Sequence, residues 1–342
     1  MKEERGYSII IPVYNGEKTL PDTLRSVKNL QYDSYEVIVV DDGSSDESGA
    51  LARRHGAVVL RLENNQGPAH ARNVGAAHAA YDTVLFTDSD VLLPKRSLEK
   101  LDARFRESGA DAVQGTFSEV CPFANYFSQY KNLYNRFVLN RLPDWIDTTF
   151  TSITAVKKSA FEDCGGFDAN IRGASVEDRT LGRNLIQKGF RIRFDQSLEV
   201  VHNKKLTMMG FLRNQFRRSR DLTKLLLRNR MQTPEESPAM SSFSEDGRFG
   251  TNSLSTMARI PIAYTLLVLL FLGVFDPVFG ILALVFLAIF IGMIAPFEWE
   301  LLKQKKLSFA LTGIGVNFID ALVSGLGIAA GMVDFFLFKK KY

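Results

Sequence analysis

Short apolar runs alternate with amphipathic stretches along the first third of the chain. Residues 7–13, 35–40, 57–62, 83–87 and 112–117 are rich in Ile, Val, Leu and Phe, and most have turn-formers nearby. Stretches of helical length, 17–29, 45–54 and 68–80, separate the first four runs, and 97–108 precedes the fifth. Strand–helix–strand repetition with short joints predicts an α/β fold: a Rossmann-like, mostly parallel sheet with helices on both faces. Such sheets bind ligands beyond the carboxyl ends of their strands.

The pattern then changes. In 121–142, Phe123, Tyr126, Phe127, Tyr130, Leu133, Tyr134 and Phe137 recur every three or four residues, the mark of an amphipathic helix. Its stripe suits either a core-facing helix or one leaning on a bilayer surface. Next come an apolar run at 150–156, a helix near 176–188 and short strands near 191–194 and 199–202. Residues 209–230 mix Phe211, Leu212, Phe216, Leu222, Leu225 and Leu226 with seven Lys or Arg, a basic helix suited to an anionic leaflet. Two uncharged stretches, 260–275 and 278–297, flank the turn signal Asp276-Pro277, and a third apolar stretch covers 307–338. Gly327 and Gly331 in that stretch would let another helix come close. The expected organisation is a catalytic domain over 1–207 and an interfacial helix over 208–230. A flexible linker over 231–256 and a transmembrane region over 257–338 follow, the latter a hairpin 257–297 plus the segment 307–338.

Composition sharpens this division. The 342 residues are 46% hydrophobic and 23% charged, a soluble-looking average, but nearly all the charge lies before Ile260. The net charge of +4 is too mild to imply a nucleic-acid partner. Two cysteines, Cys121 and Cys164, exclude a disulfide scaffold and a Cys-rich zinc site. The first residues lack the apolar core of a secretory signal, so the leading domain is expected in the cytoplasm of a membrane-anchored protein. Lys303, Lys305 and Lys306, and Lys339–Lys341 at the end, should both prefer the cytoplasmic side.

Four polar clusters sit at strand ends or helix starts. Pro12-Val13-Tyr14-Asn15-Gly16 closes the first run. Asp41-Asp42-Gly43-Ser44-Ser45-Asp46 closes the second and offers carboxylates to a base or ribose, or caps the next helix. In 64–75, Gly67 and Pro68 turn into a helix carrying Arg72, a fork for a phosphate or a partner in an ion pair. Asp88-Ser89-Asp90 closes the fourth run, and such oxygen donors suit Mg²⁺ or Mn²⁺ shared with a substrate diphosphate. No GxxxxGK[ST] and no strand-linked GxGxxG is present, which argues against a P-loop NTPase or an NAD enzyme.

In this order the clusters closely resemble the family 2 glycosyltransferases of the GT-A fold, over roughly residues 7–220. The resemblance implies that Pro12, Tyr14 and Asp42 line the nucleoside of a UDP- or GDP-sugar. It brings Arg72 and Asp88 to the donor, and Asp90, with His202, to a Mn²⁺ or Mg²⁺ ion. Gly165-Gly166-Phe167-Asp168 followed by Glu177-Asp178 resembles the family's GGF-then-ED region, making Asp178 the general base of an inverting transfer and Glu177 a contact to diphosphate or acceptor. Gln215-Phe216-Arg217-Arg218-Ser219 is similar to the QxxRW helix of polysaccharide synthases, with Ser219 in place of tryptophan. Gln215 and Arg218 are then candidate diphosphate or acceptor contacts, with lipid headgroups the other reading for the arginines. The expected activity is sugar transfer to a lipid-linked or other membrane-presented acceptor. Alternatives are a polyprenyl-phosphate sugar synthase, a polysaccharide synthase, or a non-catalytic membrane partner that retains the fold.

Overall fold

The computed structural model describes residues 5–171, 173, 175–232 and 254–338. The expected linker over 231–256 falls mostly at 233–253, outside the described residues, as do Lys339–Lys341. The chain divides into two compact units, one formed by 1–124 and 138–205, the other by 125–137 and 206–341.

The first unit is built on a nine-stranded sheet. Strand β1 (Tyr7–Val13) is buried along its whole length, as expected of a strand covered on both faces. It pairs in parallel with β2 (Tyr35–Asp41) on one side and β4 (Thr83–Phe86) on the other, and β2 pairs in parallel with β3 (Val58–Arg61). Beyond β4 the sheet becomes mixed. Strand β8 (Thr154–Lys157) runs antiparallel to both β4 and β6 (Ala112–Phe117), while β6 lies parallel to β9 (Ile192–His202). Two short strands, β5 (Val91–Leu92) and β7 (Trp145–Ile146), pair antiparallel to β9. The order is β3-β2-β1-β4-β8-β6-β9-β5, with β7 joined to β9.

Helices α1 (Leu20–Lys28), α2 (Ser48–Arg54), α3 (Pro68–Ala77), α4 (Ser97–Ser108), α6 (Lys158–Asp163) and α7 (Glu177–Gln187) complete the unit. In α1 a proline stands in the first turn, and Leu20, Leu24 and Val27 repeat at helical spacing to face the core. Gly75 of α3 is required by packing, since a Cβ there would lie 2.5 Å from Ile10.

The second unit is helical. It contains α5 (Tyr126–Leu139) through residue 137, α8 (Met208–Gln232), α9 (Leu254–Leu272), α10 (Pro277–Gln304) and α11 (Leu307–Phe336). Tyr130 and Leu133 of α5 are buried with Phe211 of α8, Phe297 and Leu301 of α10, and Ala310 and Val316 of α11. The aromatic stripe of α5 therefore faces neighbouring helices. Asp276 caps α10, accepting from Val278 N at 2.9 Å ahead of Pro277. Helix α11 lies against the basic helix α8, where Cβ atoms at Gly327 and Gly331 would stand 2.5 Å and 2.6 Å from the carbonyl oxygens of Phe216 and Arg220. By length and composition α10 and α11 are long and apolar enough to cross a membrane, and the apolar part of α9 is shorter.

Candidate active site

The polar clusters gather at the carboxyl ends of β1, β2, β4 and β9. The loops after β1 and β2 are tied together: Asn15 N donates to Ser44 Oγ (3.0 Å), Ser45 N to Asn15 Oδ1 (2.9 Å) and Gly16 N to Ser48 Oγ (2.8 Å). Asn15 adopts φ 51°, a left-handed conformation that asparagine tolerates better than most residues. Tyr14 beside it is 52% exposed and free to meet a ligand, whereas Pro12 is buried within β1, opposite Val40.

Asp42 is 3% exposed, and its two oxygens accept from Gln66 N and Gly67 N, each at 2.8 Å. Its carboxylate thus anchors the loop that enters α3. Burial raises the Asp42 carboxyl above its ordinary value, and the two amide hydrogen bonds oppose that rise.

Arg72 is the hub of the site. It is 3% exposed, with Nη2 at 2.7 Å from Asp88 Oδ1 and Nη1 at 3.1 Å from Glu177 Oε1. One guanidinium fork therefore joins the loop after β4 to the first turn of α7. Burial would depress Arg72, but the two carboxylates outweigh it and raise its pKa. Glu177 itself is buried, and its Oε2 accepts from Ser175 N at 2.7 Å. Asp178 follows it, half-buried in the same turn, with Oδ1 accepting from Arg179 N at 2.8 Å and its carbonyl oxygen from Thr149 Oγ1 at 2.6 Å.

Residue Asn73, which the sequence reading did not single out, holds the adjoining loop. Its Nδ2 donates to Phe167 O (2.8 Å) and its Oδ1 accepts from Phe167 N (2.9 Å). Gly166 has φ 67°, and a Cβ there would come within 2.8 Å of Asn73 Oδ1, so glycine is needed on both counts. Arg72 and Asn73 are successive residues of α3, and together they bracket the segment leading to Asp178.

Asp90 and His202 come together where β5 meets β9. Asp90 Oδ1 is 3.7 Å from His202 Nε2, and the imidazole packs against Phe117 with ring centroids 5.3 Å apart. Lys204, also unforeseen, places Nζ 3.0 Å from Asp90 Oδ2. Burial pushes the Asp90 carboxyl up, but the neighbouring His202 and the Lys204 charge overcome it and hold it well below the usual carboxylate range. Among the described residues no group of three or more His, Cys, Asp or Glu side chains could hold a metal. An oxygen of Asp90 and a nitrogen of His202 nevertheless fit a divalent ion that takes its remaining ligands from a diphosphate, as hard cations commonly do.

Gln215 and Arg218 lie on α8 in the helical unit, where Gln215 Nε2 donates to Asp320 Oδ1.

Residues 8–165 match the family model described as glycosyl transferase family 2. This segment is a family 2 glycosyltransferase domain. Among curated proteins, the pre-mycofactocin glycosyltransferase of Mycobacterium tuberculosis is 31% identical over 217 residues, covering 61% of this chain and 45% of that protein. The poly-beta-1,6-N-acetyl-D-glucosamine synthase of Staphylococcus aureus is 25% identical over 283 residues, covering 79% and 65%. The chain thus spans between about half and two thirds of the length of these relatives. Among solved structures, the mannosyltransferase PcManGT of Pyrobaculum calidifontis, in complex with GDP-Man and Mn²⁺, aligns with TM-score 0.58 and 17% identity over 98% of this chain and 88% of its own. Residues 1–349 of S. aureus TarS, in complex with UDP-GlcNAc, align with TM-score 0.50 and 21% identity over 68% of each chain. These two likenesses establish the GT-A fold of the family 2 domain.

Proposed function

We propose that this chain is a membrane-anchored, inverting glycosyltransferase that moves a sugar from a nucleotide-sugar to an acceptor presented at the membrane. The observation that carries the reading is the Arg72 bridge, which fastens the Asp88-Ser89-Asp90 loop to the Glu177-Asp178 turn in one unit. Two sequence segments that otherwise have no reason to meet are held on the same side chain. The family 2 domain and its glycosyltransferase relatives support the same activity. The apolar helices α10 and α11 support the anchor.

In this reading Asp178 accepts the proton of an acceptor hydroxyl while its oxygen attacks the anomeric carbon. The new glycosidic bond forms as the bond from that carbon to the diphosphate oxygen breaks on the opposite face, inverting the configuration. The departing diphosphate gains charge near Lys204, whose ammonium offsets it. Asp90 and His202 would hold a divalent ion, supplying further charge neutralisation for the nucleoside diphosphate. Tyr14, exposed beside the β2 loop, provides a surface for the nucleoside.

The test begins with a screen of UDP- and GDP-sugars with Mn²⁺ or Mg²⁺, read by the melting temperature of the full chain. With the donor so found, Asp178→Asn is expected to keep donor binding and lose transfer by about 10²-fold or more. Asp90→Asn is expected to weaken donor binding and blunt its response to the metal. Full transfer by both variants would end the assignment.

A further inference from the structure

The helical unit buries a cation that the transfer chemistry does not use. Lys131 of α5 is 8% exposed, and its ammonium lies 5.2 Å from the centre of the Tyr134 ring. Among the described residues it makes no hydrogen bond and no ion pair. Arg218 of α8 and Arg259 of α9 act on it as like charges from other helices, and Asp320 of α11 as the opposing charge. Arg218 follows Gln215 by three residues, so both project from one face of α8, the face that meets Asp320.

Both oxygens of Asp320 are already hydrogen-bonded. One of its oxygens accepts from Gln215 and the other from Arg259 Nη2, whose Nη1 donates to Asn317 Oδ1 at 2.7 Å. Tyr130 and Tyr134 are the other titratable groups turned toward Arg259. The next carboxylate, Glu298 of α10, is engaged one step farther on, accepting from Asn317 Nδ2 at 2.9 Å. Lys131 thus feels two like charges and one carboxylate, and that carboxylate already pairs with Arg259. Burying an amine without a counter-charge is costly, and an apolar side chain of the same length would serve packing better. Burial first, then the Arg218 charge, pushes the Lys131 amine down to about 7.

We propose that Lys131 and Arg218 form a phosphate-binding site within the helical unit, occupied by the phosphate head of a membrane lipid. The lipid is the favoured source because the same unit holds the two helices long and apolar enough to cross a membrane. This inference rests on the membrane reading of the helical unit and makes no use of the transfer step.

The experiment uses the full chain in nanodiscs of neutral phosphatidylcholine, titrated with dodecyl phosphate, dodecanol or inorganic phosphate, with bound ligand read by native mass spectrometry. Dodecyl phosphate is expected to bind. Lys131→Met and Arg218→Gln should each weaken it by about tenfold or more, a loss of ~1.4 kcal/mol, and Lys131→Arg should retain most of the affinity. Dodecanol should not distinguish the variants. Equal dodecyl phosphate affinity in the unsubstituted chain, Lys131→Met and Arg218→Gln overturns the site. Inorganic phosphate binding as tightly as dodecyl phosphate overturns the lipid occupant. Lys131→Met leaves no opposite charge stranded and should fold with an undiminished melting temperature. Should it not, Arg218→Gln and Lys131→Arg carry the comparison. UDP and GDP binding to Lys131→Met is measured in the same preparations. Absent nucleotide binding in every protein would count against the transferase reading, and unchanged lipid binding against this one.

Discussion

Arg72 spends both arms of its guanidinium on carboxylates, and that commits it to holding the site together. Replacing it with methionine would leave Glu177 buried without its partner, a situation that costs about 3 kcal/mol or more. Arg72→Met is therefore expected to lower the melting temperature of the catalytic unit clearly, and to reduce kcat more than it alters KM for the donor. Arg72→Lys, a point charge unable to fork, should recover only part of the stability. The sequence identified Arg72, Asp88 and Glu177 as chemically active residues but could not reveal that they bind one another, because partner choice depends on the three-dimensional path of the chain. Asp42 illustrates the same limit, its carboxylate being occupied by the amides of Gln66 and Gly67. Asn73 and Lys204 escaped notice although each had a local signal: Asn73 stands beside Arg72 in the same motif, and Lys204 two residues beyond His202. Lys131 supports a prediction at this scale as well. An unfolded lysine keeps its proton to about pH 10.4, whereas the folded amine gives it up near 7. Between those values the unfolded chain binds more protons, so Lys131 makes stability rise with pH across that window. Thermal unfolding at pH 7 and pH 9 should show a smaller gain for Lys131→Met than for the unsubstituted chain.

The larger elements were legible because their periodicity is strong. The leading runs became β1, β2, β3, β4 and β6, and the helical stretches α1, α2, α3 and α4, with ends displaced by a few residues. The short strands expected near 191–194 and 199–202 are one strand, β9, since Gln196 and Ser197 turn outward, Asp195 is buried against Arg104, and pairing to β6 continues past a register shift. The two-residue strands β5 and β7 carry too little pattern to be recognised. For α5 the aromatic stripe announced a buried face but not what would bury it, because amphipathicity is blind to the partner. The Gly327 and Gly331 pair found its partner in α8, the basic helix. A methyl group at Gly331 would stand 2.6 Å from a backbone carbonyl oxygen that cannot rotate away, whereas one at Gly315 meets nothing within 4 Å. Gly331→Ala is accordingly expected to lower the thermal stability of the full chain in detergent, while Gly315→Ala leaves it unchanged or slightly higher.

On the scale of the molecule, the uneven distribution of charge along the chain foretold a polar sheet unit and an apolar helical one. The Rossmann-like, mostly parallel sheet with its antiparallel β8 follows the expected GT-A architecture. The segment 125–137 breaks the simple order, because it interrupts the sequence of the sheet unit yet packs among helices that come much later. Nothing in its local composition separates it from an ordinary core helix, and only the later helices supply the surface it requires. A practical lesson for protein engineering follows from that exchange. A fragment trimmed after residue 205 would keep α5 but discard everything that shelters Tyr130 and Leu133, leaving a greasy ribbon in water. Anyone wishing to separate the sheet unit from its greasy half would have to redesign the outward face of that short internal segment at the same time.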